Sequence, residues 1–185
     1  ESRGLGVLVV LNDEIQAARE VVKTSTMRLH TFRTPDFGVL GHADADKIVY
    51  YRKPVRRRAP DTEFDIRGRK DLPRVDIAFS YAGADGTAIE AFVAAGAKGI
   101  VTASMLPGSS NQAQLDALNA AAKKGVVIAQ SVRNGSGRMA KIRSGRPDVA
   151  VLADNLPPTK ARILLMLALT KTANTADIQQ MFDTY

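Results

Sequence analysis

Between Val75 and Ala129 the chain alternates short β-branched runs with stretches of helical length, and this alternation constrains the fold more than any other feature. Val75-Asp-Ile-Ala-Phe79, Gly99-Ile-Val-Thr102 and Val126-Val-Ile-Ala129 read as buried strands. Thr87 to Ala95 reads as a helix opened by a cap at Asp85 or Thr87. Asn111 to Lys124 reads as a second helix. It carries apolar or small residues at Ala113, Leu115, Leu118 and Ala122, ends on a lysine pair that suits the helix dipole, and stops at Gly125. Strands of four or five residues separated by such helices predict βαβ units, hence a parallel sheet with helices on its faces. Two further helices are expected over Pro158 to Thr170, with proline in the first turn, and Thr175 to Phe182.

The first fifty residues have another texture. Gly6-Val-Leu-Val-Val-Leu11 is a continuous apolar run that ends at the turn signal Asn12-Asp13. Ile15 to Val22 is compatible with helix or strand, and Val39 to Tyr51 reads as two strands around a polar Asp44–Lys47 turn. This part is therefore β-rich. The class predicted for the whole chain is α/β: the end of an N-terminal mixed-sheet domain over residues 1–53, a basic linker over 54–72, and a small doubly wound parallel-sheet domain over 73–185.

Charge and composition then remove several functional classes. The chain has 185 residues, 45% of them apolar, enough for a packed core without staples. Cysteine is absent, which excludes disulfides, thiolate nucleophiles and Cys-ligated zinc and leaves the redox compartment open. With only His30 and His42, a His-rich metal centre or a Ser-His-Asp triad has few ways to be built, and each histidine reads as an ordinary polar residue. Asp36, Asp44 and Asp46 lack the glycine and terminal glutamate of a calcium loop and read as turn residues. The longest apolar run, Ile163 to Leu169, is far short of the about 20 residues that span a bilayer, so a soluble chain is expected. The first residues carry no targeting pattern, and the beginning looks internal to a longer polypeptide.

The net charge of +7 invites a nucleic-acid hypothesis, but its distribution argues against one. Eight basic and three acidic residues lie between Arg52 and Lys70, so most of the excess sits in one stretch that also carries Pro54 and Pro60. That is how a solvated linker reads. Gly135-Ser-Gly-Arg-Met-Ala140 has the G-x-G-x-x-A spacing of a dinucleotide loop, but its surroundings are polar and lack the opening strand and the following helix, so a loop is expected.

Lys23 is the most informative single residue. It follows Val21 and Val22 and precedes Thr24, Ser25 and Thr26. A lysine in an apolar neighbourhood with hydroxyls around it can be poised as a base or proton relay. A structural or surface lysine is the alternative.

Two ordered segments carry a resemblance. Gly6 to Ile15, Ala18-Arg-Glu-Val-Val-Lys23-Thr-Ser-Thr26, Phe32 and Gly38-Val-Leu-Gly41 form the first. Asn155-Leu-Pro-Pro-Thr-Lys160-Ala-Arg162 through Thr172, with Ile178-Gln-Gln-Met-Phe182-Asp-Thr-Tyr185, form the second. Together they resemble the bacterial type II L-asparaginase (asparaginase-glutaminase) family over essentially the whole chain. The resemblance implies an amidohydrolase that cleaves the side-chain amide of L-asparagine, and in some members of L-glutamine, through a threonine acyl-enzyme. It implies no cofactor and no metal, a homotetramer as the assembled form, and a periplasmic or secreted location if the type II pattern holds, otherwise a cytoplasmic one.

By the same resemblance Lys23 stands at the family's catalytic lysine, and Thr24 and Thr26 would hold it by hydrogen bonds. The family's Gly-Gly-Thr segment, which carries the nucleophile, and its Thr-Gly-Thr-Asp segment do not occur in these residues. The expectation is a C-terminal portion that lacks the nucleophile and is inactive alone. The family's substrate-binding asparagine, contributed across a subunit interface, falls near Ser109, with Asn111 two residues away, and the family's glutamate has no acidic counterpart between Met139 and Arg146. Two other readings compete: an inactive fragment or assembly module with open strand edges, and a polyanion binder using Arg56–Arg58, whose affinity would fall steeply with salt.

Overall fold

The computed structural model describes residues 1–105, 110–141, 147 and 150–185. They form two compact units, Glu1–Glu63 together with Tyr185, and Phe64–Thr184.

The first unit is built on a four-stranded sheet in which β1 (Leu8–Leu11), β2 (Glu14–Ala17), β5 (Gly41–Ala43) and β6 (Ile48–Tyr50) lie in that order. Every pairing is antiparallel. Asn12 and Asp13, at φ 50° and 62°, join β1 to β2, because a two-residue hairpin turn matching the strand twist needs left-handed backbone that Asn and Asp tolerate. The Asp44–Lys47 turn closes through a 3.0 Å bond from Asp44 N to Lys47 O. The stretch from Ile15 to Val22, open to helix or strand on pattern, is the end of β2, a turn and the start of β3 (Val22–Lys23). β3 pairs with β4 (Phe32–Arg33) as a separate two-stranded ladder that pattern did not show. Gly41 occupies the one position of β5 where no side chain fits: a Cβ there would stand 1.9 Å from Val49 O.

The second unit is the expected parallel sheet. β7 (Val75–Phe79), β8 (Gly99–Ser104), β9 (Val127–Val132) and β10 (Val151–Leu152) lie in sequential order, all parallel. The β7–β8 and β8–β9 crossovers are α1 (Thr87–Ala94) and α2 (Gln112–Lys123), which pack on one face around Ile89, Ile100, Leu118 and Ile128. α3 (Pro158–Ala168) lies on the other face, where a Cβ on Gly99 would meet Leu165 Cδ2 at 2.7 Å. α4 (Thr175–Thr184) follows and buries Ile178 and Phe182 completely. The α/β class is thus borne out, with helices on both faces of the sheet.

The helix ends follow local chemistry. Asn111 caps α2, its Oδ1 accepting from Gln114 N at 2.9 Å, and α2 stops at Gly125, whose φ of 83° only glycine adopts without strain. Ahead of α1, Asp85 Oδ1 accepts from Thr87 N at 3.0 Å, and that backbone bond holds the Asp85 carboxyl below its ordinary range.

Candidate active site

Lys23 is carried by the short hairpin that β3 forms with β4. In register, Lys23 stands opposite Phe32. Beyond it the chain loops out and returns through Thr31. Thr24 N and Oγ1 both donate to Thr31 O, at 2.7 and 2.9 Å. The Thr31 hydroxyl, buried, accepts from Ser25 N at 2.9 Å and donates back to Ser25 O. Thr24 is therefore bound to the opposite strand, and Thr31 closes the base of the loop.

The hairpin is also tied to the larger sheet. Gln16 on β2 is 1% exposed, and its amide spans both structures: Nε2 donates to Phe32 O at 2.7 Å, and Oε1 accepts from Thr34 Oγ1 at 2.9 Å. Buried polar groups persist only when paired, so these bonds fix one register for the short ladder. At the outer end, Asn12 Nδ2 donates to Leu29 O at 2.5 Å. Sequence reasoning missed Gln16, Thr31 and Thr34. Within Glu14-Ile-Gln-Ala17 a polar residue on every second position reads as a solvent face, and only the packing shows that Gln16 is buried.

Lys23 itself is exposed, whereas Val21 is buried and Val22 half-buried. The expected apolar setting for the lysine is therefore not realised in the first unit: the valines are turned to the protein and the lysine is in solvent. Thr26 is likewise exposed. What the structure supplies is a hydrogen-bonded hairpin carrying an exposed lysine.

Asn111 lies in the second unit, where its side chain serves the backbone at both ends, Oδ1 to Gln114 N and Nδ2 to Ala84 O. Ser109, the other residue expected to bind substrate, lies outside the described residues. The Gly135–Ala140 segment carries no helix, and its Met139 is buried, with its N–H donating to Asp154 O at 2.8 Å. His42 packs edge-on against Tyr51, ring centroids 6.3 Å apart. Among the described residues no group of three His, Cys, Asp or Glu side chains converges to hold a metal ion, and no helix is long and apolar enough to cross a membrane.

The basic stretch departs from a purely solvated linker, because its arginines brace the first unit. Arg52 Nη2 meets the Glu20 carboxylate at 2.8 Å while Arg52 Nε donates to Val39 O. Arg58 Nε donates to Gly4 O at 2.7 Å, and its Nη1 donates to Pro54 O and Arg56 O. Arg57 pairs with Glu63 at 3.3 Å. Charge-assisted bonds of this kind already engage Arg57 and Arg58 within the first unit.

Comparison with known proteins covers both units. Residues 1–56 match the family described as "Asparaginase, N-terminal", and residues 74–182 match "Glutaminase/Asparaginase C-terminal domain". A glutaminase-asparaginase of Pseudomonas fluorescens biotype A is 40% identical over 188 residues, covering 100% of this chain and 52% of that protein. L-asparaginase 2 of Escherichia coli K12 is 39% identical, with 100% of this chain and 53% of that protein covered. A protein of Haemophilus influenzae named "Probable L-asparaginase periplasmic" is also 39% identical, covering 100% of this chain and 54% of that protein. The chain spans about half the length of these relatives. With both of its units matched in order, the chain belongs to the glutaminase/asparaginase family.

Proposed function

We propose that these residues form part of an amidohydrolase of the L-asparaginase type, acting on L-asparagine, with L-glutamine as the second substrate to be tested. In the proposed reaction a threonine hydroxyl, supplied by residues other than these 185, attacks the side-chain amide carbon. The carbon–nitrogen bond breaks, ammonia leaves with the proton taken from the hydroxyl, and water then hydrolyses the resulting ester to the free acid and the threonine. Lys23 is assigned the proton transfer during attack, a role that contributes on the order of 10²–10⁴-fold in rate when a positioned side chain performs it. By itself this chain is inactive on this reading, because the cooperating residues act as a unit.

The observation that carries the proposal is the place of Lys23. It lies within the segment that matches the asparaginase N-terminal family, and its amine projects to solvent from a hairpin that Gln16 and Thr31 hold in one register. The same reading assigns residues 1–53 to the N-terminal domain, 54–72 to a linker and 73–185 to the C-terminal domain. It takes the assembled form as a homotetramer, periplasmic or secreted if the type II pattern holds and cytoplasmic otherwise. Ser109 and Asn111 are proposed to hold the substrate's amino group from a neighbouring subunit.

The test is ammonia release from the full polypeptide that carries these residues. L-asparagine should be turned over. Lys23→Met should lower kcat by at least about 100-fold with the circular dichroism spectrum unchanged. No turnover of either amide by the full polypeptide would reject the reaction, and unchanged turnover in Lys23→Met would reject the role of the lysine.

A further inference from the structure

The turn that delivers the chain into the Lys23 strand is pinned by its own two charged side chains. Glu20 N and Val21 N both return to Ala17 O at 3.0 Å, closing the turn. Glu20 is held by Arg52 at 2.8 Å. Arg19 Nε donates to the backbone oxygen of Tyr185, a residue 166 positions away in sequence that belongs to the same compact unit.

Tyr185 is itself gripped from a second segment. Its hydroxyl lies 2.8 Å from Thr62 Oγ1 and donates to the Glu63 carboxylate. The Arg57 guanidinium lies 5.8 Å from the centre of its ring and also reaches Glu63. One tyrosine thus joins the turn at Arg19 to the 57–63 segment. β3 is only two residues long, so the Gln16 and Thr31 bonds fix its register, while the direction of the chain into it also depends on the turn four residues before Lys23. Displacement of a reacting group by about 1 Å can cost about 100-fold in rate.

We propose that Tyr185 is a positioning residue that acts through Arg19 to fix the hairpin bearing Lys23; the inference rests on the amidohydrolase reading of that lysine. It predicts a split between binding and turnover. In the full polypeptide, assayed well below its melting temperature, Tyr185→Ala should lower kcat for L-asparagine about 10- to 100-fold while KM stays within about twofold. Tyr185→Phe, which keeps the ring and backbone contacts, and Arg19→Lys, which keeps a cationic donor, should each retain most of kcat. Amide exchange at Val22–Thr24 should accelerate in Tyr185→Ala, a readout independent of activity.

Lys23→Met separates the two ideas. If it abolishes turnover while Tyr185→Ala leaves kcat and the exchange rates at Val22–Thr24 unchanged, the positioning role is overturned and the amidohydrolase reading stands. Full turnover in Lys23→Met overturns both, since the positioning role works through that lysine. A Tyr185→Ala protein with a lower melting temperature but unaltered kcat also overturns it, because the tyrosine would then be structural only.

Discussion

Lys23 is an exposed amine whose position depends on side chains that are not exposed. Gln16 and Thr31 do the holding, and neither carries charge. Removing one partner of a buried hydrogen bond leaves the other without one, which costs about 1–3 kcal/mol. Gln16→Leu should therefore lower the unfolding free energy by about that amount in denaturant titration, since Phe32 O and Thr34 Oγ1 both lose a partner. An unchanged midpoint would show that the network contributes nothing. A second residue-scale outcome concerns Asp65, whose carboxylate accepts from the Arg67 guanidinium and backbone and is held down to about 2. Its folded value lies below its ordinary 3.8, so whatever stability it lends is complete above that value and is lost as pH falls towards 2. The pair is exposed, which makes the contribution small. An NMR titration should find the Asp65 midpoint near 2 and, in Arg67→Ala, closer to 3.8. The neighbours of Lys23 in sequence singled it out, but its exposure was not legible from them, because Val21 and Val22 turn to the protein and the lysine does not. The glutamine and threonine that orient it were not legible either, because their burial is a property of packing.

At the scale of elements, long periodic segments were the most readable. β7, α1, α2, α3 and α4 lie where apolar spacing, caps and the Gly125 stop place them, because each signal is local. Two-residue strands escape such reading. β3, β4 and β10 have no period to display, and they exist because a neighbour offers a ladder: β10 pairs with β9, and β3 with β4. Asn111 shows the same limit for function. The family resemblance implied contact with substrate near it, while in the second unit its side chain caps α2 and donates to Ala84 O. Asn111→Ala should cost about 1 kcal/mol in unfolding free energy through loss of the cap, and Asn111→Ser should cost less, because serine keeps the cap and loses only the Nδ2 bond to Ala84 O. Asn111→Ser then tests the substrate role: a raised KM in a folded protein, beyond that of Ala84-side changes of equal stability, supports it, and unaltered kinetics assign the residue to its backbone bonds alone. Gly41→Ala probes the first sheet. A methyl group 1.9 Å from Val49 O cannot be accommodated without moving the β5–β6 pair, so a loss of about 3 kcal/mol is expected from thermal unfolding.

For the molecule as a whole, charge and family lead in different directions, and the arginine contacts weigh against the polyanion reading. A net charge of +7 concentrated near residues 52–70 is what a polyanion binder would carry. Arg52 and Arg58 are instead bonded to backbone oxygens of the first unit, and Arg57 to Glu63. Binding to a DNA duplex should therefore be weak, with little dependence on salt between 50 and 200 mM; a fall of about 1,000-fold over that range would restore the polyanion reading. The α/β class and the order of the two units were legible because they follow from hydrophobic period and ordered motifs. The bracing role of the basic stretch was not, because composition reports charge without reporting its partners. The account as a whole rests on one amine acting in amide hydrolysis. The most direct measurement is steady-state ammonia release by the full polypeptide with L-asparagine, wild type beside Lys23→Met. A drop in kcat of about 100-fold or more with the fold retained is the predicted result, and equal turnover by the two proteins would contradict it.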